Sequence, residues 1–175
     1  MADLIAQETA LVLIDLQVRI VGTQTEPRNG ADVVRACMRL ADAVRHQGGL
    51  VVIVQAQRPQ PEQPPGSELV GELLPHEGDL LITKRTWGAF AATGLHERFQ
   101  EHGITTVAIG GIATNMGVES TARAAADLGY RIFFVEDAMA SLSAEMHAFA
   151  IEKIFPLLGT VCSTDEFLAQ LGSAH

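Results

Sequence analysis

Six short apolar runs, rich in β-branched residues, recur along the chain and are separated by turn residues or helical patterns. Each run is apolar at successive positions rather than at every second one, which is typical of strands that are buried on both faces of a sheet. A mostly parallel sheet is therefore expected. The predicted strands cover residues 10–14, 50–54, 80–83, 105–109, 131–135 and 159–162.

Helical patterns lie between these strands. In residues 31–47, Val33, Leu40 and Val44 fall on one face at helical spacing, and Gly48 follows the last turn. The alternation predicts an α/β fold, and 175 residues, 47% of them hydrophobic, suffice for one domain over residues 1–175 with a buried core. Further helices are predicted at residues 94–102, 117–128, 143–155 and 164–171, with Pro156 expected to close the third of these.

Composition excludes several classes of partner. The net charge of −9 and the isoelectric point near 5.0 argue against nucleic acid, because binding to phosphates depends on clustered Lys and Arg. The N-terminal residues lack the basic region of a signal peptide, and Asp15 interrupts their apolar run well short of a membrane span. We therefore expect no membrane association and a cytoplasmic location. Cys37 and Cys162 lie in apolar segments and are expected to be small core residues.

The segment at residues 107–126, VAIGGIATNMGVESTARAAA, takes a buried strand through glycines and a polar turn into a helix. At the C-terminal edge of a parallel sheet, such a helix directs backbone N–H groups and a partial positive charge into a crevice. Two interpretations fit this segment taken alone. It is either a site for an anionic substrate or oxyanion, or an ordinary strand-to-helix turn whose glycines allow close packing.

Two charged residues are predicted at the same sheet edge. Asp15 ends the first strand and Lys84 follows the third, so the parallel strands deliver a carboxylate and an ammonium group to one crevice. The alternatives are an Asp that caps a turn and a surface Lys beside Arg85. Lys84 and Arg85, with Arg58 or Arg123, are candidates for a local positive patch.

Residues 57–79, QRPQPEQPPGSELVGELLPHEGD, contain five of the seven prolines and little periodicity. They are predicted to form a long surface loop. A lid over the C-terminal edge of the sheet is favoured over a tolerated insertion, because long loops in compact domains are often functional.

Three motifs in order resemble those of the isochorismatase-like (cysteine hydrolase) family. They are DLQ at 15–17, KRTWGAFAATGL at 84–95 and GIATNMGVESTAR at 111–123, and VEDAMAS at 135–141 also agrees. The resemblance covers nearly the whole chain, and three ordered motifs are more specific than any single one. It implies a Rossmann-like three-layer α/β/α sandwich with a six-stranded, mostly parallel sheet.

The resemblance also defines a departure at Gly117. In the amidase branch of that family, a catalytic cysteine occupies the corresponding position after the GIAT segment, and a glycine has no side chain to act as nucleophile. Isochorismatases keep the Asp and the Lys without the cysteine, and they cleave a vinyl ether. The resemblance therefore favours acid-assisted hydrolysis over thioester amide hydrolysis. In this reaction Asp15 would be the acid, Lys84 would hold developing charge or orient a substrate carboxylate, and N–H groups near Ala113 and Gly117 would bind an anionic oxygen.

The same resemblance implies further site residues. Gln57, Trp87, Phe90, Ala113 and Asn115 are the predicted substrate contacts. For Trp87 and Phe90, core packing is the alternative. The resemblance also implies a non-proline cis peptide bond between residues 112 and 113.

No metal ion and no cofactor are expected. The metal-binding branch of the family carries an Asp/His cluster after its second strand, whereas this chain has no histidine between His46 and His76. Neither a phosphate-binding loop nor a complete dinucleotide fingerprint is present in the sequence.

The resemblance thus predicts a hydrolase that lacks the catalytic cysteine and acts on a small, anionic or cyclic substrate. The alternative is a catalytically silent binding or regulatory protein on the same scaffold. The resemblance further implies a homodimer or homotetramer, and the apolar segments 89–92 and 122–126 are candidates for the subunit contact.

Overall fold

A single parallel sheet forms the centre of the computed structural model, which describes residues 4–171. The strand order is β3-β2-β1-β4-β5-β6, and every neighbouring pair is parallel, which confirms the predicted α/β class. The strands are β1 (Thr9–Ile14), β2 (Leu50–Ala56), β3 (Leu80–Lys84), β4 (Thr106–Ile112), β5 (Arg131–Ala140) and β6 (Thr160–Cys162).

Helices cover both faces of this sheet, as the three-layer prediction requires. The long helix α2 and the short helix α7 pack on one face, while α3, α4 and the α5–α6 segment pack on the other. The helices are α1 (Val18–Val21), α2 (Gly30–His46), α3 (Leu95–Glu101), α4 (Glu119–Asp127), α5 (Ala144–Phe149), α6 (Phe155–Leu158) and α7 (Thr164–Leu171). Short 3-10 turns occupy Ala6–Glu8 and Gly71–Leu73.

The order of the strands reverses between β1 and β4. The chain continues from β1 to β2 on one side, and β4 pairs with the other side of β1, so the C-terminal ends of β1 and β4 flank a crevice. Gly111 lies at this end of β4 with φ +125°, and a Cβ there would lie 2.3 Å from the carbonyl oxygen of Ile14. Only glycine therefore allows β4 to approach β1 so closely at the crevice.

The segment after β5 corrects one helix prediction. Pro156 does not end the helix, because α5 continues through a π turn (Ala150–Ile154) into α6, and Pro156 lies in the first turn of α6. Proline is tolerated in a first helical turn, where its missing N–H has no intrahelical partner to lose. Likewise, the helix expected from residue 117 begins only at Glu119, after a π turn at Thr114–Val118.

One part of the loop at residues 57–79, residues 67–73, is anchored to the domain. Leu69, Val70 and Leu73 are buried, and Gln17 forms an antiparallel bridge with Leu69. The Gln17 side chain also accepts a hydrogen bond from the Ala56 N–H (2.9 Å) and donates to the carbonyl oxygens of Ala56 and Ser67. Burial of these apolar residues and these hydrogen bonds hold residues 67–73 against the domain, and a lid function of the loop stays a prediction.

Three alanines of the predicted subunit-contact segments are internal, whereas Ala91 and Ala92 are exposed, and the subunit contact stays a prediction. Ala89, Ala122 and Ala125 are fully buried in the core of the chain itself, so their small side chains serve helix-to-sheet packing. Cys37 and Cys162 are buried free thiols, as predicted. Burial raises the pKa of both thiols, that of Cys162 to about 12. No helix within residues 4–171 has the length and apolar composition needed to cross a membrane.

Candidate active site

Asp15 is the first residue after β1 and lies in the crevice beside β4. Its backbone has φ +56°, a left-handed conformation that Asp and Asn tolerate better than most residues. Its N–H donates a 2.9 Å hydrogen bond to the carbonyl oxygen of Val54 at the end of β2. This turn directs the chain out of the sheet at the place where a substrate would enter.

Lys84, the last residue of β3, reaches across the end of β2 to Asp15. Its Nζ donates a 2.8 Å hydrogen bond to Oδ2 of Asp15 and lies 3.4 Å from the carbonyl oxygen of Thr86. Both side chains are buried, since Asp15 is 8% exposed and Lys84 3%. Within residues 4–171, Oδ1 of Asp15 has no hydrogen-bond partner. The pair therefore has one buried oxygen that the protein leaves unbonded.

The environment of Asp15 makes its carboxyl group easier to protonate than that of an exposed Asp. Burial raises the pKa of the Asp15 carboxyl above the ordinary value of 3.8, although the positive charges of Lys84 and, more weakly, Arg19 lower it. A carboxyl group that retains its proton at higher pH than usual is suited to act as a general acid.

The turn after β4 forms the opposite side of the crevice. The peptide bond between Ile112 and Ala113 is cis, as the family resemblance implies. The π turn at Thr114–Val118 follows, and within it Met116 has the non-helical angles φ −123° and ψ −105°. Ala113, Met116 and Gly117 face a cavity beside Asp15.

Gly117 lies directly against the Asp15–Lys84 pair. A Cβ at this position would lie 3.0 Å from Oδ2 of Asp15, 3.0 Å from Cγ2 of Ile14 and 3.6 Å from Nζ of Lys84. These distances place any side chain at residue 117 in contact with both charged groups. Because the residue is glycine, no side chain covers Oδ2 from this position, and Asp15 and Gly117 both line the cavity.

The cavity has a volume of about 680 Å³ and a largely apolar wall that also contains charged residues. Apart from the paired Lys84 and Asp15, its charged residues are Arg58 and Arg85, and neither arginine forms an ion pair within residues 4–171. The cavity thus carries uncompensated positive charge, which would attract an anionic ligand to a protein of net charge −9. The lining residues are Asp15, Ile20, Thr23, Ala56, Arg58, Lys84, Arg85, Thr86, Trp87, Ile112, Ala113, Met116, Gly117 and Leu142.

Five of the residues predicted from sequence meet at this cavity. They are Asp15, Lys84, Gly117, Trp87 and Ala113. They converge because Asp15 and Ala113 follow β1 and β4 and Lys84 is the last residue of β3, and these strand ends lie at one edge of the sheet.

Three other predicted residues do not line the cavity. Phe90 packs against the rings of Phe99 and Tyr130, with centroids 5.7 and 5.8 Å away, so core packing was the better interpretation for it. Asn115 accepts a hydrogen bond from the Ser141 hydroxyl. The third is Gln57, half-buried, whose backbone N–H donates to the carbonyl oxygen of Lys84 (2.9 Å).

Sequence reasoning missed part of the cavity wall. Ile20, Thr23, Met116 and Leu142 line it, and each lies within ten residues of the end of β1, β4 or β5. Their positions shortly after strand ends were the available sequence signal, but such positions do not indicate which side chains point into the cavity. Arg123, a candidate for the positive patch, instead pairs with Glu119 at 2.8 Å.

Comparison with known proteins identifies the family. The isochorismatase domain model matches residues 9–166. The chain belongs to the isochorismatase family. YwoC of Bacillus subtilis, an uncharacterised isochorismatase family protein, is 40% identical over 183 aligned positions that cover 94% of this chain and 95% of YwoC. A structure of an isochorismatase family protein from Burkholderia thailandensis superposes with a TM-score of 0.90 at 35% identity, over 95% of this chain and 97% of that one.

The isochorismatase of B. subtilis is also similar to part of this chain. It is 35% identical over 107 residues, which cover 61% of this chain and 34% of that protein. The predicted family, the fold and the assignment to isochorismatase-like hydrolases are thus confirmed. Within residues 4–171, no group of three or more His, Cys, Asp or Glu side chains is arranged so that it could hold a metal ion.

Proposed function

We propose that this isochorismatase-family protein hydrolyses a vinyl ether in a small anionic substrate, with Asp15 as the general acid and no covalent intermediate. The supporting observation is the buried Asp15 carboxyl group beside Gly117. One of its oxygens is unbonded, and the neighbouring position that could carry a nucleophile has no side chain.

The proposed reaction begins with proton transfer from Asp15 to the methylene carbon of the enol ether. The C=C electron pair forms the new C–H bond and leaves an oxocarbenium ion. Water then adds to the positive carbon and loses a proton, which restores the acid. The resulting hemiketal breaks its bond to the ether oxygen and gives an alcohol and pyruvate, so one water molecule is consumed for each C–O bond broken.

Lys84 has an electrostatic function in this proposal. Its ammonium group, 2.8 Å from Oδ2, stabilises the Asp15 carboxylate that remains after proton transfer. Burial opposes ionisation, and the balance leaves a carboxyl group with a raised pKa that still loses its proton in the reaction. Removal of either partner would therefore disturb the acid itself.

The substrate carboxylate would be bound by two arginines of the cavity wall. Arg58 and Arg85 lie there without ion pairs in the described part of the chain, so they are free to meet an incoming anion. The backbone N–H groups near Ala113 and Gly117 are proposed donors to a second anionic oxygen. Trp87, 69% exposed at the mouth, would cover the apolar body of the substrate.

The test measures isochorismate consumption and pyruvate release by the purified protein and its Asp15→Asn variant, in buffer with a metal chelator. Asn tolerates the φ of +56° at this position, so the variant should fold with the same backbone. Asp127→Asn, an exposed position at the end of α4, is the matched control. Turnover in the wild type and the control but not in Asp15→Asn is expected. Equal turnover in all three would refute the acid function of Asp15, and no turnover in the wild type would reject isochorismate as the substrate.

A further inference from the structure

A buried imidazole that the proposed reaction does not use lies behind the active-site turn. His147 on α5 is 5% exposed, and its Nδ1 lies 2.8 Å from the hydroxyl oxygen of Thr114. Its Nε2 is also buried and has no hydrogen-bond partner within residues 4–171, and the carboxylate oxygen Oε2 of Glu136 lies 3.9 Å from it. The ring thus connects the turn after β4 to β5.

The charges around the ring determine its state. Burial and the positive charge of Arg28 lower the pKa of His147, while the weaker influence of Glu136 raises it, so the ring is neutral at neutral pH. Arg28 itself binds Glu136 through its side-chain oxygen (3.4 Å) and its backbone carbonyl oxygen (3.2 Å). A neutral ring with its proton on Nε2 directs that N–H toward the Glu136 carboxylate. We assign this tautomer because the opposite one would direct a lone pair toward negative charge.

In this tautomer Nδ1 is an acceptor, so the Thr114 hydroxyl donates to it. Thr114 is fully buried and begins the π turn that presents Met116 and Gly117 to the cavity. A second side-chain bond, from the Ser141 hydroxyl to Oδ1 of Asn115, holds the next residue of the same turn. Two side-chain hydrogen bonds therefore fix a short segment whose backbone is irregular at Met116.

We propose that His147 is a positioning residue, which acts through Thr114 to hold the turn at residues 113–117 in the geometry that the reaction needs. This inference rests on the proposed function. His147 is not part of the cavity wall. Its effect is therefore on the placement of the backbone N–H groups near Gly117. Such placement affects the transition state more than the initial binding of substrate.

The kinetic test compares two substitutions at each end of the bond. His147→Leu and Thr114→Val remove the hydrogen bond, whereas His147→Asn, with a polar atom close to the Nδ1 position, and Thr114→Ser retain it. We expect the first pair to lower kcat about tenfold with KM changed less than twofold, and the second pair to stay within about threefold of the wild type. The double variant His147→Leu/Thr114→Val should lose no more than either single variant, because both remove one interaction.

A purely structural function would give a different result. It would lower the melting temperature in proportion to the loss of kcat, without rescue by His147→Asn or Thr114→Ser. Either an increase in KM at constant kcat or equal losses in the Asn and Leu variants would overturn the proposal.

A second readout does not depend on turnover. In ¹H–¹⁵N NMR spectra recorded from pH 7.5 downward, the amide of Gly117 should shift with the same midpoint as the ring protons of His147. Protonation of Nδ1 forces the Thr114 hydroxyl to become the acceptor, and this changes the turn. The shift should be absent in Thr114→Val. A Gly117 amide that does not follow the His147 titration would refute the coupling, whereas a wild type that shifts as expected but hydrolyses no vinyl ether would refute the proposed function alone.

Discussion

The Asp15–Lys84 pair gives a quantitative prediction for the free energy of unfolding. Lys84→Met replaces the ammonium group with an apolar chain of similar length and leaves a carboxyl group that is only 8% exposed without its counterion. Loss of one partner of a buried ion pair costs about 3–5 kcal/mol when the other stays charged. We therefore expect the variant to be less stable than the wild type by about 3 kcal/mol or more at pH 7.5.

This deficit should shrink as the pH falls. Without Lys84, the charge that most lowers the pKa of Asp15 is gone, so its folded-state pKa rises further above the ordinary 3.8. Between the unfolded and folded pKa values the folded state binds more protons, so the free energy of unfolding increases by up to about 1.4 kcal/mol for each unit of decrease in pH. In the wild type the same gain begins at a lower pH, because Lys84 still lowers the pKa. The two stabilities therefore converge below the folded-state pKa of the variant.

The assay is urea denaturation followed by far-UV circular dichroism at pH 7.5, 6.5 and 5.5, at a fixed protein concentration. Lys153→Met is the matched control, since Lys153 is 64% exposed and lies 3.7 Å from Glu152. Such a surface pair contributes about 1 kcal/mol at most, so the control should show little change and no pH trend. A deficit in Lys84→Met that is below about 1 kcal/mol, or that is the same at all three pH values, would refute the reasoning.

Three further predictions concern the open position, the acid and the loop. Gly117→Cys should place a thiol at the cavity, so mass spectrometry after brief iodoacetamide treatment should find one adduct, with the buried Cys37 and Cys162 unmodified as internal controls. Modification of the native cysteines at the same rate would contradict this geometry. For turnover, kcat should fall about tenfold per pH unit above the pKa of Asp15, because only the protonated carboxyl group reacts; a kcat that rises with pH over that range would contradict an acid function. Gln17→Leu should lower the free energy of unfolding by about 1–3 kcal/mol, because the N–H and carbonyl groups of Ala56 in β2 lose their partner. Limited proteolysis of this variant should then cleave within residues 57–70. Unchanged protection of that segment would show that burial of its apolar residues alone holds it.

Local sequence patterns were sufficient to locate the six strands and to bring Asp15 and Lys84 together. Apolar runs identify buried strands, and parallel strands bring the residues at their C-terminal ends to one edge, so Asp15 and Lys84 could be placed together without knowledge of distant contacts. The same reasoning failed at the end of β5, where Glu136 and Asp137 interrupt the apolar run although the strand continues to Ala140. The pairing of β4 with β5 is irregular between Ile109 and Gly111, and an irregular register leaves no periodic signal.

Features that depend on contacts between distant segments could not be predicted. Leu69 is held by an antiparallel bridge to Gln17, which lies 52 positions earlier in the chain. The Pro-rich segment around Leu69 carries no local pattern that identifies this partner. Phe90 follows Trp87 by three residues, yet one ring packs internally and the other is exposed at the cavity. The choice between them depends on the path of the chain from β3 to α3, which has no regular period.

The identity of residue 117 determines what an Asp–Lys pair can do in the proposed mechanism. A cysteine there would start from a Cβ 3.0 Å from Oδ2 of Asp15 and 3.6 Å from Nζ of Lys84, so its sulfur would be the nearest group to give up a proton to the carboxylate. With glycine, residue 117 places no side chain beside Oδ2 of Asp15, and both residues line the cavity, so in the proposed mechanism the carboxyl group exchanges its proton with a bound substrate or water. The same two charged residues can therefore activate a nucleophile or donate a proton, and the presence or absence of one side chain decides between these reactions.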